Sequence, residues 1–183
     1  MSASEYLAWE RDQVERHEFS HGEVFAMAGG SPRHNFLGLA VGSELRFAVR
    51  GGPCRVFSSD QRIVARDGEH YVYADTSVVC GPMVLAPGTT DVLANPAVVV
   101  EVLSKGTEAY DRGRKWDGYR QIGSVTDYLL VSQTEARVEH YQRGASGEWT
   151  YRVAGAGGRV LLMNGAAFEV DALYAGAFDL ASD

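Results

Sequence analysis

Two acidic residues in this chain stand where acidic side chains are costly, and a lysine follows them at a distance that a fold can close. Glu101 is surrounded by Ala97, Val98, Val99, Val100, Val102 and Leu103. Such a run reads as a strand buried on both faces, where an ionised carboxylate needs a cation or a metal ion beside it. Asp75 lies in the segment YVYADTSVVC, which reads as a half-buried strand with Tyr73, Asp75 and Ser77 on one face. Two carboxylates near the middle of neighbouring strands can converge on one hard cation, and Mg²⁺ is commonly held by one or two carboxylates with water and a substrate phosphate. Lys115 follows Asp111 by four residues, so the two share a helical face. Spacing alone leaves a plainer alternative open. In it Asp75 caps a bend, Glu101 pairs with Arg112 or Arg114, and Asp111 and Lys115 form an exposed ion pair.

The elements that must position these residues can be read along the chain. SASEYLAWERDQVERHE reads as a helix capped by Ser2 or Ser4, and HEFSHGEVFAMAG as two short strands turning at His21-Gly22. Gly29-Gly30-Ser31-Pro32 breaks the chain and starts a helix, from about His34 to Val49, with Phe36, Leu37, Ala40, Val41, Leu45 and Ala48 at helical spacing. CRVFSSDQRIVA and YVYADTSVVC read as strands joined by the turn Arg66-Asp67-Gly68-Glu69. The Glu101 strand is followed by a helix from about Thr107, its expected cap, to Ile122. TDYLLVSQTEARVEHYQRG reads as a hairpin turning at Gln133 to Ala136. WTYRVAG and RVLLMNGAAFEV add strands, and DALYAGAF a short terminal helix. This order predicts an α/β sandwich around a central mixed, twisted β-sheet.

A chain of 183 residues is expected to form one domain, 1–183. No apolar run approaches the roughly 18 residues of a membrane span, and the N-terminus lacks the apolar core of a signal peptide. Cys54 and Cys80 give neither a disulfide framework nor a zinc spacing and read as small buried hydrophobes. A cytoplasmic location follows as the expectation. The formal charge of −7 counts against tight non-specific coating of nucleic acid. It counts less against a nuclease, because carboxylates gathered around a divalent ion make a protein acidic while the ion restores positive charge locally. The apolar RVLLM and AFEVDALYAGAFDL segments are expected at a subunit interface, in a homodimer or higher homo-oligomer.

YADTSVVCGP, NPAVVVEVLS, TEAYDRGRKWDGYRQI and DYLLVSQTEARVEHYQR, in that order, resemble the Uma-type restriction endonuclease family, a bacterial family of the PD-(D/E)XK superfamily. The resemblance runs from about Tyr6 to Leu180 and includes HEFSHGEVFAMAGGSPRHN and CRVFSSDQRIV near its start. It implies a restriction-endonuclease-like α/β sandwich with a central mixed β-sheet flanked by helices, plus additional C-terminal strands. Asp75 matches the superfamily's motif aspartate and Glu101 its motif glutamate, both metal ligands. Ala74 stands where the name motif has proline, which shapes backbone and supplies no ligand. Leu103 stands where the superfamily has its lysine, and in the Uma-type family that role is thought to move to the following helix, where Lys115 is the match. Lys105, on the Glu101 face of the strand, is the local rival.

Glu23 matches a family position and is a further candidate metal ligand, directly or through water, with Glu18 the weaker one. His34 is placed to approach a phosphate or simply to cap its helix, and Gln121 follows Lys115 on the same helix as a second substrate contact. The resemblance thus implies Mg²⁺- or Mn²⁺-dependent hydrolysis of DNA phosphodiester bonds by Asp75, Glu101 and Lys115. The alternatives are a nuclease fold that no longer cuts and binds nucleic acid or a partner protein, and a structural oligomer built around an ordinary buried ion pair.

Overall fold

In the computed structural model, which describes residues 1–27, 29–65 and 68–183, the centre is a six-stranded sheet with apolar side chains on both faces. Of the expected turn at 66–69, residues 66 and 67 lie outside the described residues. The chain opens with α1 (Ala3–Glu10), whose Ser2 accepts from the Glu5 N–H while the Glu5 carboxylate caps Ser2 in return. That helix stops well short of the sequence expectation. His17 already belongs to β1 (His17–Ser20), which turns through His21 and Gly22, both at positive φ, into β2 (Glu23–Ala26).

Helix α2 (Pro32–Ala48) starts at the Ser31 cap with proline in its first turn. It presents Leu37, Val41 and Leu45 to the sheet. Next come β3 (Cys54–Ser58), β4 (Arg62–Ala65), β5 (His70–Tyr73), β6 (Thr76–Cys80), β7 (Val92–Leu93) and β8 (Val98–Val102). Past the helical segment at 108–119 follow β9 (Asp127–Val131), β10 (Arg137–Arg143), β11 (Trp149–Gly155), β12 (Arg159–Leu161), β13 (Ala167–Glu169) and α5 (Val170–Tyr174).

The central sheet runs β11-β10-β9-β8-β6-β3, antiparallel except for the parallel β8–β9 pair. A second sheet runs β2-β1-β5-β4-β7, and β12–β13 form a small hairpin. Two segments that read as single strands are each divided between the sheets. CRVFSSDQRIVA breaks between β3 and β4, and YVYADTSVVC breaks at Ala74-Asp75, where the chain leaves β5 in one sheet and enters β6 in the other. Alternation continues through such a bend in sequence, so the pattern hides it.

Strand β8 is buried along its whole length. Val98, Val100 and Val102 pack toward α2 and α5, while Val99 and Leu103 pack with Tyr119, Tyr128 and Leu130 on the other face. Glu101 belongs to that second face by alternation.

Two expectations are corrected here. Cys54 and Cys80 are not separate thiols but a disulfide, because β3 and β6 place them directly opposite each other with Cα atoms 3.9 Å apart. The C-terminal apolar segments are largely consumed within the chain. Val160, Leu162, Phe168, Val170, Leu173 and Ala177 lie in the core against α2, leaving Leu161, Met163 and Phe178 outside. Hairpin alternation turns Val160, Leu162, Phe168 and Val170 inward, and Leu173 and Ala177 follow on the helical turns after it.

Candidate functional site

Asp75 sits at the bend between the two sheets, one step beyond the paired residues Thr76 and Val100. The bend frees it from the ladder, and its Oδ2 accepts the Val102 N–H at 2.7 Å. This bond ties the first carboxylate to the strand that carries the second. Glu101, only 3% exposed, accepts the Tyr119 hydroxyl at Oε1 (2.8 Å). Its Oε2 has no protein partner among the described residues, and the residue lines the same cavity as Asp75.

The helical segment after β8 is not one regular α-helix. A short α-turn, α3 (Glu108–Tyr110), passes into a π-helical turn (Asp111–Lys115) and then α4 (Trp116–Tyr119). Thr107 precedes it without making the expected side-chain cap. Such a wide turn is frequent at functional sites. Here Asp111 and Lys115, at the two ends of the turn, are both buried, and Nζ lies 3.6 Å from Asp111 Oδ1. Lys115 Nζ also lies 3.1 Å from Glu101 Oε1 and 3.1 Å from Glu18 Oε1, and donates to the Tyr73 carbonyl at 3.0 Å. Glu18, on β1, is fixed in turn by the Tyr73 N–H (3.0 Å).

One ammonium thus serves Glu18, Glu101 and Asp111, with Asp75 close by. Burial drives the Glu101 carboxyl well above the ordinary carboxylate value, against the pull of Lys115, with Asp111, Asp75 and Glu18 adding to the rise. Asp111 is raised for the same first reason. Burial alone would lower Lys115, but Glu101, Glu18, Asp111 and Asp75 outweigh it and hold the ammonium charged. Asp111 Oδ1 has no hydrogen-bond partner in this crowded group.

The cavity in front of these residues has a volume of about 590 Å³, within the usual range for ligand sites. His34 reaches it from the first turn of α2, with Nε2 3.4 Å from Asp75 Oδ2. Burial lowers its basicity, but the hydrogen bond and charge of Asp75 outweigh that and raise it. Arg114 and Asp183 stand at the rim.

Of the residues singled out in the sequence, Asp75, Glu101, Lys115 and His34 therefore meet in one cavity. Glu23 does not join them. It lines a smaller neighbouring cavity of about 300 Å³ with Ser20, His21, His70, Arg114 and Asp117, while Glu18 takes the place beside Lys115. The physical reason is register, since Glu18 pairs with Phe25 and Glu23 pairs with Ser20 at the turn end of the hairpin. Gln121 is exposed and donates to the Asp117 carbonyl. Lys105 is exposed beside a different small pocket, with Glu108 and Arg112. Arg112 forms a fork onto Glu139 and also meets Glu108, so it is not the partner of Glu101. Asp111 and Tyr119 joined the site without being singled out as ligands. Both lie four residues from Lys115, and that spacing was the available signal.

The oxygen-only donor set formed by Asp75 and Glu101, with an unused Glu101 oxygen, suits a hard divalent cation that keeps much of its water. Among the described residues no group of three or more His, Cys, Asp or Glu is placed to hold a metal ion. Asp75 and Glu101 are the pair whose chemistry fits such an ion.

Residues 3–172 match the Uma2 family, described as "Putative restriction endonuclease". Among curated proteins, the uncharacterized protein slr1290 of Synechocystis sp. is 37% identical over 177 residues, spanning 96% of this chain and 92% of that protein. Uncharacterized protein sll1609 of the same organism is 32% identical over 149 residues, spanning 81% and 84%. Among solved structures, the crystal structure of a putative nuclease belonging to DUF820 from Anabaena variabilis superposes with a TM-score of 0.78 at 15% identity. It covers 97% of this chain and 99% of that one, and so shares the fold.

Proposed function

The chain belongs to the Uma2 family of putative restriction endonucleases, and from that premise we propose that it hydrolyses DNA phosphodiester bonds with the help of Mg²⁺ or Mn²⁺. The observation that carries the reading is the surplus of carboxylates over cations beside an open cavity. Glu18, Glu101 and Asp111 meet the buried ammonium of Lys115, and Asp75 lines the same cavity close by.

Asp75 and Glu101 would hold the ion, which when bound supplies Lewis-acid polarisation of the scissile phosphate and a more acidic bound water. The chain's own groups set the stage for this. The Val102 N–H fixes one Asp75 oxygen, and the Tyr119 hydroxyl and Lys115 fix one Glu101 oxygen, so each carboxylate keeps its second oxygen for the cavity. Lys115 is held protonated by its carboxylate neighbours and keeps a positive charge where charge develops on the phosphate oxygens. His34, next to Asp75, lines the same cavity and would donate to a phosphate oxygen.

The test uses purified protein with supercoiled, linear duplex and single-stranded DNA in Mg²⁺ or Mn²⁺. Cleavage is expected in the wild type, to be abolished by EDTA and reduced at least about 10²-fold in Asp75→Asn and Glu101→Gln. Circular dichroism would verify that both variants fold. Cleavage at the wild-type rate in both variants would sink this assignment. DNA binding with no cleavage under any metal would favour the non-cutting alternative.

A further inference from the structure

Part of the cavity lining, beside Glu18, is apolar and open. Phe25 lies directly across the hairpin from Glu18, so the two side chains share a face, and Glu18 already touches Lys115. Phe25 lines the cavity with Ala26 and Met27, is 38% exposed, and belongs to none of the core clusters among the described residues.

Glu23 is two residues before Phe25 and lies on the same face, where it lines the smaller second cavity. The two cavities therefore follow one another along the hairpin, and Arg114 borders both. Arg114 is exposed and makes no hydrogen bond or ion pair among the described residues. A strand leaving the first cavity for the second would pass its guanidinium, whose planar fork suits a phosphate.

We propose that Phe25 stacks a nucleobase that has left the double helix, with Arg114 on the adjoining phosphate, so that the substrate class is single-stranded or frayed DNA. The inference rests on the nuclease reading above. Charge favours it. A chain of net charge −7, with Arg114 as the exposed cation between the two cavities, gains little from neutralising the phosphates of a duplex. Stacking on an aromatic face needs no positive charge and tolerates any base. An intact duplex keeps its bases stacked inside, and the aromatic wall then contacts only backbone.

The experiment measures binding of a short oligonucleotide carrying 2-aminopurine, single-stranded or annealed, to the full chain in Ca²⁺, and cleavage of the same strands in Mn²⁺. The expected result is quenching on binding the single strand and at least about tenfold tighter binding of it than of the duplex. Phe25→Ala is expected to weaken single-strand binding by about 5- to 150-fold and to leave duplex binding unchanged, while Phe25→Trp retains the quenching. Equal binding of both forms, or unchanged single-strand binding in a folded Phe25→Ala variant, would overturn the inference. If the wild type still cuts DNA in that case, the nuclease reading stands without it. If the wild type neither binds nor cuts either form, both fall.

Discussion

Glu101 and Asp127 are buried carboxylates on adjacent strands of one sheet, and their surroundings are opposite in kind. Asp127 is fully enclosed. Its Oδ1 meets His140 Nε2 (2.8 Å), Gln142 Nε2 (3.0 Å) and the Met163 N–H (3.1 Å), and its Oδ2 accepts the Thr126 hydroxyl (2.7 Å). Donors from Thr126 just before β9, from β10 and from the loop after β12 converge on one anion and pin the C-terminal hairpin to the sheet. Glu101 competes instead with Glu18 and Asp111 for a single ammonium and opens onto a cavity. Burial alone therefore does not mark a functional acid. What sets Glu101 apart is a local excess of like charge beside open space, an arrangement that costs stability unless something else enters it.

Removing the one cation should cost most. Lys115→Met keeps the bulk and leaves Glu18, Glu101 and Asp111 facing each other, with an expected loss of about 3–5 kcal/mol in urea unfolding at pH 8. The loss should shrink at pH 5, because carboxyls raised by burial take up protons there. A loss that does not change with pH would show that the ammonium acts through packing.

Asp127→Ala is the matching change at the other carboxylate and should cost about 2–4 kcal/mol by orphaning buried donors. Per folded molecule, cleavage should be unaffected. A Mn²⁺-dependent activity that falls with this variant would break the contrast between the two regions.

The smallest effect has the opposite sign. The folded Glu101 carboxyl binds its proton more tightly than the unfolded one, so stability is full below about pH 4.5 and falls as pH rises toward the raised folded value. Glu101→Gln removes that decline and should stabilise the protein by about 0.5–2 kcal/mol at pH 8 while abolishing cleavage. Thermal unfolding across pH 4–8 measures this. A variant that loses stability at pH 8 would place Glu101 in the same structural class as Asp127.

Much of the arrangement was legible from residue types. The apolar run around Glu101 announced a doubly buried strand, and β8 is buried throughout. The hairpin at His21-Gly22, the start of α2 near Ser31-Pro32 and the turn before β10 were equally readable, because their turn residues have local causes. The choice of Glu18 over Glu23 was not, since both acids lie on one short hairpin and its register and docking select between them. Asp127 also passed unnoticed, as its donors come from 13, 15 and 36 residues away.

By itself the sequence determined which groups had to find partners. An acid among valines and a lysine four residues from Asp111 are facts of composition and spacing, and desolvation makes them demand company. Only the tertiary structure decided which partners they found. Backbone alternation continues through the bend at Ala74-Asp75, so no periodicity reveals that one segment serves two sheets and delivers Asp75 to their junction. The same holds for Cys54 and Cys80, 26 residues apart in sequence and joined because two strands lie in register. Long-range pairing is set by the sum of many weak contacts, and no single stretch of sequence carries that sum.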